Sequence, residues 1–201
     1  MIIELETGTH SYRINGLAVP SVTGVLADLY DWGGISAAKL ERKRILGTAV
    51  HKAIELDVRD DLDESSVDPQ IAGYFEAWRR FRKEARLSPV LAERPVGSKN
   101  FWYAGTLDLA GDLGGIDALI DIKTSARPHA SNKLQTAAYL LAASEMRLMR
   151  KTAHRFVLIL QPDATYRVEP HISANDFSVF LSCLSRHNWR IANGMLKETR
   201  Q

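Results

Sequence analysis

The chain has 201 residues, 45% of them hydrophobic and 25% charged, with a formal net charge of +2. This is ordinary for a soluble globular protein with room for one compact domain, and the mild positive balance allows a nucleic-acid partner without indicating one. Cys183 is the only cysteine, which excludes an intramolecular disulfide and any zinc site or cluster needing several thiolates.

In chain order, Ile3, Leu5, Tyr12 and Ile14 alternate in strand fashion, and Asn15-Gly16 is a hairpin turn before Leu17-Ala18-Val19. Residues 1–20 therefore read as a small β-ribbon. Ser21 can cap a short helix through Val25 and Leu26, and Asp31-Trp32-Gly33-Gly34 reads as a loop. Helical spacing runs over about 36–57, with Gly47 marking a break or a close approach. An acidic connection over 60–64 leads to Pro69, suited to the first position of the next helix. That helix carries Ile71, Tyr74, Phe75, Trp78 and Phe81 as an apolar stripe.

The period then changes. Strands are expected over 90–96, 101–109 and 116–122, with turns at 97–100 and 111–115. A helix over 130–149, strands over 154–160 and 166–171, and a closing helix over 174–193 complete the series. One mixed sheet flanked by helices accounts for this order. No apolar run reaches the roughly 20 residues of a membrane span, and the start lacks the pattern of a secretory signal, so the expected location is the cytoplasm.

The chemistry concentrates in Gly105-Thr106-Leu107-Asp108 and Asp121-Ile122-Lys123-Thr124. Asp121 and Lys123, two apart on an apolar strand, leave it by one face. A hairpin between the two strands would bring Asp108 beside Asp121. Adjacent carboxylates repel unless a cation lies between them, and oxygen ligands suit Mg²⁺ or Mn²⁺. Such an ion polarises a phosphoryl oxygen and activates water, with Lys123 supplying positive charge beside it. His51 and Glu55 fall on one helix face, with His51 a candidate nitrogen ligand. Glu93 is a candidate further carboxylate. Gln135 and Tyr139, four apart on a helix, are candidates for holding DNA. Basic residues group at Lys39, Arg42, Lys43 and Arg44, at Arg79, Arg80, Arg82, Lys83 and Arg86, and at Arg147, Arg150, Lys151 and Arg155. Trp32 and Trp102 are candidates for stacking on bases.

The ordered set Gly47-Thr-Ala-Val-His51, Glu93, Gly105-Thr-Leu-Asp108, Asp121-Ile-Lys123-Thr124 and Gln135-x-x-x-Tyr139 resembles the RecB-like, phage-type exonuclease branch of the PD-(D/E)XK nuclease superfamily. That branch includes lambda-type exonucleases, exonuclease VIII and the mitochondrial genome-maintenance exonucleases. The stretch from Tyr12 to Thr23 resembles the N-terminal segment of its smaller members.

The resemblance implies an α/β restriction-endonuclease-like core over 36–172, with the ribbon before it and a C-terminal helix over 173–201, all one nuclease domain. It implies metal ligation by His51, Asp108, Asp121 and the Ile122 carbonyl, with Glu93 as a further ligand. Catalysis would fall to Asp108, Asp121 and Lys123, and DNA binding to Thr124, Gln135 and Tyr139. The implied activity is metal-dependent exonucleolytic hydrolysis of DNA in phage-type recombination or DNA repair, in a bacterial or phage-infected cell. A structure-specific endonuclease and a catalytically silent DNA-binding module of the same fold are the alternatives. Some relatives carry an iron–sulfur cluster on four cysteines, which a single Cys183 cannot hold. Implied partners besides DNA are a single-strand annealing or other recombination protein and further copies of the chain.

Overall fold

The computed structural model describes residues 1–6, 11–30 and 36–196. Strands β1 (Ile3–Glu6), β2 (Ser11–Ile14) and β3 (Leu17–Val19) form an antiparallel three-stranded sheet. Its second hairpin turns through Asn15 and Gly16, both at positive φ (49° and 81°), the conformation an Asn-Gly pair adopts readily. Ser21 caps α1 (Val22–Leu26), its hydroxyl accepting from the Gly24 N–H at 3.0 Å.

The main sheet has the order β4 (Leu87–Ser98), β5 (Tyr103–Leu113), β6 (Ile116–Lys123), β7 (His154–Leu160) and β8 (Tyr166–Pro170). Only β6 and β7 run parallel; the other neighbours are antiparallel. This is a mixed α/β architecture, as the sequence pattern predicts. Helices cover both faces. On one side Leu109, Ala118, Ile120 and Ile122 pack with Val50 and Ile54 of α2 (Ala37–Val58) and with Phe75, Trp78 and Phe81 of α3 (Ala72–Glu84). On the other, Ala110 and Leu119 pack with Ala138 and Leu140 of α4 (Ser131–Glu145) and Phe180 and Leu184 of α5 (Asp176–Ala192). Among the described residues no helix is long and apolar enough to cross a membrane.

Several boundaries differ from the sequence-based expectation. The strand expected over 90–96 extends to Leu87–Ser98 because Val90 bulges out of register, 75% exposed, and pairing resumes beyond it. Residues 101 and 102 belong to the β4–β5 turn rather than to a strand, with Trp102 at φ 53°. Pro69 lies in the turn before α3, which starts at Ala72. Gly47 does not break α2. A Cβ there would meet the Thr124 hydroxyl at an ordinary 3.6 Å, so the glycine marks the approach of α2 to the end of β6. The loop read at 31–34, including Trp32, lies outside the described residues.

The register creates an opening. The β5–β6 ladder reaches Leu109–Ile120, whereas β4–β5 pairing continues to Ser98–Tyr103 and β6–β7 pairing to Lys123–Ile159. The sheet therefore splits between β5 and β6 from Asp108 and Asp121 onward. Side chains at a split serve as replacements for lost ladder bonds: Asp108 Oδ2 accepts the backbone N–H of Ile122 at 2.7 Å.

Candidate active site

The split gathers charged groups from four elements. Asp108 of β5 and Asp121 of β6 are buried, 9% and 1% exposed. Glu93 comes from β4, where it holds a left-handed φ of 45° in mid-strand. A non-glycine residue in that region is strained by about 1–3 kcal/mol, and such residues cluster at functional sites. The strain aims the Glu93 carboxylate at His51 of α2, with Oε1 2.8 Å from Nδ1. His51 Nε2 lies 3.1 Å from the Ile122 carbonyl, and Asp108 Oδ1 is 3.9 Å from Nδ1. One ligand atom from each of His51, Glu93 and Asp108 falls within 4.8 Å of the others. Glu55, one turn from His51 on α2, pairs with Lys52 and Arg59.

Asp121 faces Lys123. The ammonium lies 2.9 Å from Oδ1 and 2.8 Å from Oδ2, but only Oδ1 receives a hydrogen bond; Oδ2 is buried without one. Such a group costs free energy unless something else satisfies it.

The electrostatics follow from burial and crowding. Burial pulls the His51 pKa down, but the charge of Asp108 and the hydrogen bond and charge of Glu93 outweigh it and hold it up at about 9. Both ring partners, a carboxylate and a carbonyl, can only accept, so the charged ring donates to both. Burial pushes Asp121 up to about 6, Lys123 opposes this and Asp108 adds to it. Burial also raises Asp108. For Lys123 burial would lower the pKa, but Asp121 and Asp108 together raise it.

These residues fit a hard divalent cation. Three carboxylates face one lysine and one histidine, and a dication beside Asp108 and Glu93 would balance the excess negative charge. The uncoordinated Asp121 Oδ2 and the Ile122 carbonyl add oxygen donors, a set suited to Mg²⁺ or Mn²⁺. A ligating imidazole nitrogen must be unprotonated, so an ion at His51 would take the place of one of its protons.

The predicted DNA-holding pair is buried rather than displayed. Gln135 and Tyr139 are 6% and 3% exposed, and the Gln135 amide donates to the Tyr139 hydroxyl at 3.2 Å. The Tyr139 ring lies against Gly105, where a Cβ would come within 2.6 Å of it. Burial first, then the Asp108 and Asp121 charges, raise the Tyr139 pKa. The pair thus forms a wall beside the carboxylates. Thr124 is half-buried at the end of β6.

Sequence reasoning gave no role of its own to three neighbours. Tyr12 of β2 hydrogen-bonds Thr106 Oγ1 at 2.9 Å, and its pKa is raised by burial and by Glu93 and Asp108. Tyr30 and His129 stack at 4.4 Å, His129 lying on the segment between β6 and α4. Tyr12 lay within the N-terminal stretch that carries the family resemblance. Nothing in the spacing of Tyr30 and His129 links them, because their contact joins loops 99 positions apart.

The basic groups separate into two kinds. Arg79 and Arg82 pair with Asp57 and Arg79 also with Glu64, which ties α3 to its surroundings, while Arg80 pairs with Glu84 within the helix. Arg155 pairs with Asp176. Lys39, Arg42 and Lys43 have no ion-pair partner among the described residues, while Arg44 pairs with Glu41. They sit on the first three turns of α2, where only Leu40 and Leu46 are even half-buried among residues 36–46.

No protein-family model matches the sequence, and no curated protein is similar to it. Among solved structures, a protein from Eubacterium rectale, provisionally named an exonuclease, is similar at 10% identity and a TM-score of 0.49, over 87% of this chain and 74% of that one. A second, SSO0001, is similar at 15% identity and a TM-score of 0.39, over 77% and 74%. At those levels neither fixes family or chemistry; the topology and the site stand on the chain's own residues.

Proposed function

We propose that the chain is a divalent-metal-dependent deoxyribonuclease that degrades DNA from its ends. The observation that carries this reading is the convergence at the sheet split of Asp108, Asp121, Glu93, His51 and Lys123, with Asp121 Oδ2 buried and lacking a hydrogen bond. His51, Asp108, Asp121 and the Ile122 carbonyl, with Glu93, would hold Mg²⁺ or Mn²⁺. When bound, the ion supplies Lewis acidity toward a phosphoryl oxygen and a lowered pKa for water.

The protein's own groups supply the rest. Lys123 is kept charged by its carboxylate neighbours, so it can orient the attacking water and stabilise negative charge building on the phosphoryl group. Asp121 fixes the lysine's position through the 2.9 Å hydrogen bond. Glu93 holds the His51 ring in place against β6. Gln135 and Tyr139 close the site on the α4 side, Thr124 lines its mouth, and the unpaired cations of α2 provide phosphate contacts.

The test is digestion of end-labelled linear DNA beside closed circular DNA, with Mg²⁺, Mn²⁺ or EDTA and with Lys123→Ala as control. Loss from the ends of linear DNA alone, stopped by EDTA and reduced about 10²–10³-fold or more by the substitution, is the expected result. Cutting of the closed circle would replace the exonuclease with an endonuclease. Binding without metal-dependent cleavage would leave a silent DNA-binding module.

A further inference from the structure

Two loops meet through a pair of rings. Tyr30 ends the single 3-10 turn Ala27–Leu29 that follows α1, with an extended backbone (φ −88°, ψ 124°). Its ring stacks on His129, centroids 4.4 Å apart and planes inclined by 26°. His129 belongs to the segment between β6 and α4. Its Nδ1 accepts the Ser131 N–H at 3.2 Å and lies 2.8 Å from the Ser131 hydroxyl, while the His129 backbone N–H donates to Asn132 Oδ1 at 2.7 Å. The start of α4 thereby fixes the imidazole plane. Tyr30 is half-buried and His129 is exposed, and a chain of hydrogen bonds runs from the His129 backbone N–H through Asn132 and Gln135 to the Tyr139 hydroxyl, the wall beside the carboxylates.

A flat, fixed, solvent-facing ring on the loop that leads from the half-buried Lys123 to α4 offers the two features a nucleotide requires: charge for the phosphate and a π-face for the base. A paired base within a duplex has its faces covered by neighbours, so only a base that has left the stack can use such a ring. We propose that the Tyr30–His129 stack seats the unpaired nucleobase flanking the phosphate at Lys123, making single-stranded or frayed DNA ends the preferred substrate. This deepens the nuclease reading and rests on it for the location of the phosphate. The seat does not need cleavage to be observed.

The experiment uses the full chain with single-stranded and blunt duplex oligonucleotides carrying 2-aminopurine at either terminus, in Ca²⁺ to follow binding. Matched oligonucleotides end in an abasic nucleotide. The expected result is quenching and tighter binding at one single-stranded terminus, with binding weakened about 5- to 100-fold by His129→Ala or by the abasic end, and no further loss when the two are combined. His129→Phe, which keeps a stackable ring, restores quenching, and thermal melting of the variants stays near that of the parent chain. Equal quenching and affinity in His129→Ala, equal affinity for abasic and intact ends, or equal use of blunt duplex overturns the proposal.

Failure of the two readings looks different. Terminal quenching lost in His129→Ala, without cleavage in Mg²⁺ or Mn²⁺, removes the nuclease and keeps the seat. Metal-dependent cleavage indifferent to His129 and to the terminal base removes the seat and keeps the nuclease. Absence of DNA binding removes both.

Discussion

Asp121 and Lys123 make a pair whose members depend on each other unequally. Asp121 has no exposed side-chain surface, whereas Lys123 keeps a quarter of its own. Removing the lysine leaves a buried carboxylate whose Oδ2 already lacks a hydrogen bond. Lys123→Ala is therefore expected to lose about 3 kcal/mol of stability in EDTA at neutral pH, within the range for breaking a buried pair from one side. Denaturant unfolding of the variant beside the double substitution Asp121→Asn/Lys123→Ala checks this, since the double variant removes the stranded charge and should recover most of the loss. His171, bonded to Thr136 of α4, sets a pH dependence of stability. Burial, and then Arg155, lower its pKa to about 4, and the neutral ring shares a 2.9 Å hydrogen bond with Thr136. In the unfolded chain the imidazole titrates near its ordinary 6.5. Between those values the unfolded state binds more protons, so the stability held by neutral His171 is complete above pH 6.5 and is lost as pH falls toward 4. The loss is at most about 3 kcal/mol at roughly 1.4 kcal/mol per pKa unit. His171→Asn should flatten the stability profile across that window, and an unchanged slope would assign the dependence to other groups.

Two glycines with similar sequence settings do opposite things within their elements. Gly105 stands where β5 meets the Tyr139 ring, and an added Cβ would approach the ring to 2.6 Å. Gly105→Ala is expected to cost about 1–3 kcal/mol through overpacking and to displace Tyr139 from Gln135. Gly47 lies inside α2, where an added Cβ would make an ordinary 3.6 Å contact with the Thr124 hydroxyl, so Gly47→Ala should raise stability by up to about 1 kcal/mol through helix propensity. Thermal melting of the two variants side by side reads both signs. The contrast shows what was legible in the sequence. Strand and helix periods located nearly every element, and the two-residue spacing of Asp121 and Lys123 located the strand face on which the charged cluster gathers. Neither the bulge at Val90 nor the left-handed φ of Glu93 is periodic, so both were hidden, although Glu93 itself was a candidate ligand and its carboxylate meets His51. The sheet split was equally hidden, since it follows from where two ladders end rather than from residue type. Pairs made between loops, such as Tyr30 with His129, leave no local pattern at all.

At the scale of the whole molecule a net charge of +2 says little, because it does not tell cations held in ion pairs from those left facing solvent. Arg79 and Arg82 of α3 bind the largely buried Asp57, so their charge is already matched within the fold. Lys39, Arg42 and Lys43 stand on the exposed start of the same helix that carries His51, with no partner among the described residues. A polyanion leaving the site along α2 would meet these three charges, each displacing counterions from the phosphates it contacts. The log–log salt dependence of DNA binding falls by about 0.7 per lost contact for single strands. Replacing Lys39, Arg42 and Lys43 together by Gln should therefore flatten the slope by about 2, weaken binding most at low salt, and leave the melting temperature nearly unchanged. The matched replacement Arg79→Gln/Arg82→Gln should lower the melting temperature, because Asp57 loses its cations while keeping its bond from the Trp78 indole N–H, and should leave the slope as it was. Binding titrations from 50 to 300 mM salt on both variants separate the two roles. If the slope instead follows the α3 arginines, DNA crosses the α3 face and the exposed start of α2 is only a solvated helix end.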